Sequence, residues 1–109
     1  MVFLSSKQKH KMKSKQYILS KIKSKKEDFL KLGIKNIGLF GSYAQGKQSD
    51  TSDIDILIDF EPDKENFDNY MAICDMIDKL FKQEKVDVVT KNGLSPYIGP
   101  HILNSVIYV

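Results

Sequence analysis

A chain of 109 residues gives one ordinary small domain with a single modest core, and its 41% hydrophobic content is that of a soluble globular protein. No apolar run approaches the roughly 20 residues of a membrane span, and a lone Cys74 excludes an internal disulfide and any cysteine-based metal cluster. Charge is split along the chain: residues 1–49 carry twelve Lys and two acids, residues 50–109 five Lys and twelve acids, and there is no Arg anywhere. Bidentate arginine clamps on phosphate are therefore unavailable, and lysine must supply any cationic side chain. Met1-Val2-Phe3-Leu4 precedes the lysines, the reverse of a secretory signal, so a reduced cytoplasmic setting is expected.

Residues 1–14 form a flexible basic N-terminal segment on this reading, including the solvated His10, and residues 15–109 form the domain. From Lys15 to Leu32 the apolar residues Ile18, Ile22, Phe29 and Leu32 recur at helical spacing, which predicts one helix with lysines on its outer face and Gly33 as its stop. Those lysines, Lys21, Lys23, Lys25 and Lys26 among them, read first as a solvated face. The competing reading is an electrostatic patch for nucleic acid or an acidic partner, weakened for single strands by the scarcity of interleaved aromatics. Lys35–Phe40 predicts a short strand ending in the Gly41-Ser42 turn, and 42–47 can open a short helix.

Ile54–Phe60 predicts a buried strand, with Asp50 a loop residue before it, Ser52 a hydrogen-bonding shoulder and Asp59 a solvated strand end. Phe67, Tyr70, Met71, Cys74, Ile77, Leu80 and Phe81 step by three and four, an amphipathic helix whose Met71–Phe81 stripe is core and on which Cys74 packs. Val86–Val89 predicts a third strand, 93–100 a loop punctuated by glycine and proline, and 102–109 a short apolar closing segment. His101 reads as a surface or capping residue. The sum is a small α/β domain, a mixed sheet with helices packed on it.

Chemistry concentrates in 41–59. Asp53 and Asp55 enter the predicted strand at period two, so both lie on one face, roughly 7 Å apart. Burying ionised carboxylates side by side is costly without a compensating cation, and a divalent metal resolves the conflict. Gly41 and Ser42 offer unhindered backbone N–H groups to an anion. Asp87, the one acid in the strand Val86–Val89, converges with Asp53 and Asp55 if the two strands share a sheet. Three carboxylates with substrate phosphates and waters suit two Mg²⁺ ions and an in-line displacement at phosphorus.

Gly41-Ser42-Tyr43-Ala44, a spacer, Ser52-Asp53-Ile54-Asp55 and a later strand aspartate resemble the DNA polymerase β-like nucleotidyltransferase superfamily, over about half the chain from Ile34 to Val89. The subgroup it looks most like is the minimal nucleotidyltransferases, antitoxin-type partners of HEPN-domain toxins. The resemblance implies a magnesium-dependent, ATP-using enzyme. Gly41 and Ser42 would hold the β- and γ-phosphates, Asp53 and Asp55 both metals, and Asp87 the catalytic metal while helping to deprotonate the acceptor. AMP would pass to a tyrosine hydroxyl of the toxin. Many relatives carry Arg where this chain has Gln45, leaving Gln45 and Lys47 as the side chains available to the nucleotide, and Tyr43 as a packing residue or a stacking surface for the base. Two alternatives stay open: a catalytically weak or inert antitoxin acting by contact, and a transferase for a small hydroxylated molecule of the aminoglycoside type, which would need an additional substrate-binding domain.

Overall fold

The computed structural model describes residues 13–109, so His10 and most of the basic N-terminal segment lie outside the described residues. Helix α1 (Lys15–Ser24) opens at Ser14, whose hydroxyl oxygen accepts a hydrogen bond from the Tyr17 amide at 3.1 Å. It stops at Lys25, and a short α2 (Lys26–Lys31) follows, so the single helix expected over Lys15–Leu32 is two. Lys23-Ser24-Lys25-Lys26 has no apolar residue to bury, and the Ser24 hydroxyl turns back onto the Lys21 carbonyl at 2.6 Å. A serine bonded to its own turn competes with the helical ladder where tertiary contacts are missing. Ile18, Ile22 and Phe29, on either side of the break, are fully buried.

Strand β1 (Ile34–Phe40) leads directly into the short helix α3 (Gly41–Gln45). Strand β2 (Ile54–Phe60) pairs antiparallel to β1, and α4 (Phe67–Leu80), capped by the Asn66 side chain, crosses to β3 (Val86–Thr90), which runs parallel to β2. A turn of 3-10 helix (Lys91–Gly93) precedes α5 (Gly99–Ser105), and β4 (Ile107–Tyr108) closes antiparallel to the other side of β1. The strand order is β3-β2-β1-β4, a small mixed sheet with helices, as the sequence pattern predicts.

The closing segment departs from expectation. Helix α5 begins inside the predicted loop because Pro100 falls in its first turn, where a missing N–H costs nothing. His101 is an exposed residue of that helix.

Period two sorts the sheet residues. Ile37, Leu39, Ile54, Ile56, Ile58 and Phe60 form one face and are buried against the helices. The α4 stripe is rotated from its predicted position. Ile73 and Ile77 are fully buried and Phe81, just past the helix end, is buried, while Phe67 and Met71 face outward at 74% and 47% exposure. Once Ile73 takes the centre of the interface, a 100° step per residue carries Met71 away from it. Met71 is therefore not core, in contrast to the sequence reading. Truncating Ile77 to alanine removes fully buried methyl groups and is expected to cost about 2–5 kcal/mol in denaturant unfolding. Met71→Ala, on the outward face of the same helix, should change stability by less than about 0.5 kcal/mol.

Candidate active site

The opposite face of the sheet carries the carboxylates. Asp55 lies level with Phe40, the last residue of β1, and with Asp87 on β3. These two registers gather three things. The parallel pairing sets Asp55 and Asp87 side by side, the antiparallel pairing brings the β1–α3 junction up against Asp55, and Asp53 enters two residues before Asp55 on the same face. Asp55 is partly buried and Asp87 is exposed. Burial, then the charge of Asp87, then that of Asp53 push the Asp55 carboxyl above the usual carboxylate range.

Gly41 faces this carboxylate. It adopts φ +75°, and a Cβ built on it would collide with Oδ2 of Asp55. Its value is therefore twofold: a backbone conformation that side chains disfavour, and room for the aspartate. Ser42 follows, partly buried, with its carbonyl accepting from the Lys47 amide at 2.9 Å. Gln45, the last residue of α3, and Lys47 just beyond it are exposed. Tyr43 is 2% exposed and belongs to the hydrophobic core, which resolves its two readings in favour of packing. Ser52 closes the 49–52 turn by accepting from the Ser49 amide at 2.9 Å, and Asp50 is an exposed loop residue.

Two ion pairs refine the picture. Lys85 Nζ lies 3.8 Å from Asp53 Oδ2, a contact invisible to motif reading because it depends on the pairing of Ile54 with Val86, which brings residues 53 and 85 together. Asp59, expected to be solvated, has a side chain only 14% exposed and lies 4.0 Å from Lys91 Nζ. It shares the Asp55 face but stands four residues further on, roughly 13 Å along the strand.

Among the described residues no three acidic, histidine or cysteine side chains are grouped so that they could hold a metal ion by themselves. The donor set nonetheless suits a hard cation. Asp55 and Asp87 present oxygen ligands side by side, and Mg²⁺ is characteristically held by one or two carboxylates together with substrate phosphates rather than by an all-protein cage.

Residues 19–109 match the nucleotidyltransferase domain family. The chain belongs to that family. Among its relatives, the protein adenylyltransferase MntA of Thermococcus cleftensis is 35% identical over 85 residues, spanning 78% of this chain and 84% of that protein. A Methanocaldococcus jannaschii protein provisionally named a protein adenylyltransferase is 41% identical over 93 residues, spanning 80% of this chain and 88% of its own. In three dimensions the nucleotidyltransferase fold of this chain is similar to a structure described as a minimal nucleotidyltransferase, with a TM-score of 0.75 at 22% identity, covering 87% of this chain and 95% of that one. It is also similar to a chain in a toxin-antitoxin crystal structure with AMP-PNP, with a TM-score of 0.59 at 24% identity, covering 78% and 69%. No described helix is long and apolar enough to cross a membrane.

Gly41 and Gly46 make a matched pair for testing the Asp55 contact. Both have positive φ, but a Cβ at Gly46 meets nothing within 4 Å. Gly46→Ala should cost only the left-handed strain, about 1–2 kcal/mol. Gly41→Ala should cost more in the same unfolding titration, because Asp55 has to move; equal costs would contradict the contact.

Asp55 itself gives a signed pH prediction. A folded pKa above the unfolded one means that the folded state takes the proton more readily, so the ionised carboxylate opposes folding. That penalty is absent below the ordinary carboxylate range and complete above the raised pKa. In metal-free protein Asp55→Asn is therefore expected to raise Tm at pH 7.5 by up to about 4 °C, with the gain fading as the pH falls toward 4. A lowered Tm at pH 7.5 in calorimetry contradicts the crowding.

Proposed function

We propose that this nucleotidyltransferase moves AMP from ATP to a hydroxyl of a partner protein, a tyrosine of a HEPN-type toxin, and so acts as an antitoxin. The observation that carries the chemical part is the register that sets Asp55 beside Asp87 and against the Gly41 turn. The relatives named protein adenylyltransferases support protein as the acceptor, and the like-folded chains from toxin-antitoxin crystals support a toxin as the partner.

On this reading Asp53, Asp55 and Asp87 hold two Mg²⁺ ions. Bound there, the ions would neutralise the phosphates and stabilise the attacking and leaving oxygens. The chain's own residues do the rest. The Gly41 and Ser42 amides and the Ser42 hydroxyl bind and orient the β- and γ-phosphates at a turn without side-chain obstruction. Gln45 and Lys47, both exposed, would serve the nucleotide, Lys47 with charge and Gln45 with hydrogen bonds alone. Asp53 would exchange its weak 3.8 Å pairing with the exposed Lys85 for the cation. Asp87 is the exposed member of the set, so it is the carboxylate that a hydroxyl on a macromolecule can approach. It takes the acceptor's proton as the oxygen attacks the α-phosphorus. The new bond joins that oxygen to phosphorus, the α–β anhydride bond breaks, and pyrophosphate leaves.

Incubation with α-labelled ATP, Mg²⁺ and a HEPN-type toxin should place label on a toxin tyrosine. Asp55→Asn and Asp87→Asn should each reduce the rate by at least about a hundredfold, and chelation by EDTA should abolish it. If Asp55→Asn still protects cells from the toxin as well as the wild type does, neutralisation by contact replaces this mechanism.

A further inference from the structure

Away from the carboxylate face, the helices leave an open groove. One cavity of about 290 Å³ is lined by Lys13, Tyr17 and Lys21 from the α1 side, by Lys79 at the end of α4 and by Phe81 and Lys82 just after it, with Glu84 beyond. A second, of about 470 Å³, is lined by Lys25, Asp28 and Leu32 and by Met76, Lys79 and Leu80. The two share Lys79 and Leu80, so they form one trough between α1–α2 and the C-terminal half of α4. Five lysines face two acids along it. Its floor is apolar, made of the partly buried Leu32, Met76 and Leu80.

The floor and rim together select an occupant. A nucleic acid needs cations along a backbone track and open aromatic faces for its bases. Here Phe81 is buried, and the exposed aromatic, Tyr17, has the Lys13 and Lys21 ammonium groups at 5.2 and 5.9 Å from its ring centre, where a base would stack. Leu32, Met76 and Leu80 have nothing to offer sugar and phosphate. An amphipathic protein segment uses both features: apolar side chains at helical spacing enter the floor, and flanking carboxylates meet the lysines. Lys79 is already drawn to Asp75 at 3.0 Å, but both side chains are largely exposed and the pair is readily exchanged.

The trough also points toward the site. At its Lys13 end the Lys13 carbonyl accepts from Gln48 Nε2 at 3.4 Å, and Lys15 Nζ donates to the Ala44 carbonyl of α3 at 3.5 Å. Glu84, at the same end, is followed by Lys85, the partner of Asp53.

We propose that this lysine-rimmed, apolar-floored groove docks an acidic amphipathic segment of the protein that the enzyme modifies, holding that protein beside the carboxylates. The proposal rests on the reading of a protein acceptor, and binding is measured separately from transfer so that each can fail alone. The probe is a fluorescein-labelled helical peptide with leucine at i, i+3, i+4 spacing and glutamate on its flanks, titrated with the full-length chain by fluorescence anisotropy. Its counterpart with lysine for glutamate and a labelled single-stranded oligouridylate are titrated in parallel. The acidic peptide should bind, more weakly as salt rises. The double variant Lys21→Glu/Lys82→Glu should raise its Kd about tenfold, as should Met76→Asp, with circular dichroism showing both variants folded. Asp55→Asn should bind the peptide like the wild type. Equal affinity for the basic peptide, indifference to the charge reversals, tighter binding of oligouridylate, or concentration-dependent self-association that blocks the peptide each overturns the groove assignment. Peptide binding without label transfer to any protein sinks the acceptor reading and leaves the groove as a docking site. Transfer that proceeds with no dependence on Lys21 or Lys82 does the reverse.

Discussion

The placement of Asp55 is the constraint on which the rest of this protein turns. A carboxylate on an inner strand, partly withdrawn from water and flanked by Asp87 and Asp53, is placed by the sheet register where burial and two like charges raise its pKa. The sheet can impose this because every position on the other face of β2 is occupied by buried apolar side chains. Ile54, Ile56, Ile58 and Phe60 fix which face Asp55 occupies, and a slip of one residue would bury the aspartates and expose the core. Core packing therefore bears the cost of assembling like charges. The same logic explains Gly41: a side chain there would displace the carboxylate that the register delivers.

The chain handles charge without arginine. Lysine pairs with carboxylates that range from the largely buried Asp59 through the partly exposed Asp53 to the exposed Asp75, with separations of 3.0–4.0 Å; where the pair is open to water, as at Asp53 and Asp75, the contact is weak enough to be exchanged for a stronger partner. At the carboxylate face that exchange suits the proposed mechanism, in which a cationic partner would arrive with the substrate. On the helical side, the lysines of α1 and α4 are brought onto one groove although they lie more than fifty residues apart in sequence. The uneven charge distribution of the linear sequence is thus a mixed surface in the fold. Acidic α4 contributes Lys79 to the basic groove, with Lys82 just beyond its end, and the basic first half contributes the glycine turn beside the acids.

Much of this was legible from residue patterns. β-branched runs and alternating acids identified β2 and β3, helical spacing identified α4, and the Gly-Ser turn with Asp53, Asp55 and Asp87 identified the family. The pattern failed where local preference met tertiary competition. Apolar spacing continued through Ile22 and Phe29, yet a lysine-serine stretch with nothing to bury let the helix break at Lys25. Met71 fitted the stripe of α4, yet Ile73 took the centre of the interface. Proline and glycine at 99–100 read as a loop, although proline is well tolerated in the first turn of a helix.

By itself, then, the sequence determined which acids and which glycine turn make up the candidate site, because the identities and period-two spacing of the acids follow from covalent order and strand geometry. Only the tertiary structure decided which groups become neighbours: Asp87 beside Asp55, Gly41 against the same carboxylate, Lys85 on Asp53 and Lys82 across from Lys21. Those pairings join residues distant in the chain, and strand register and helix packing, which no local preference encodes, are what bring them together.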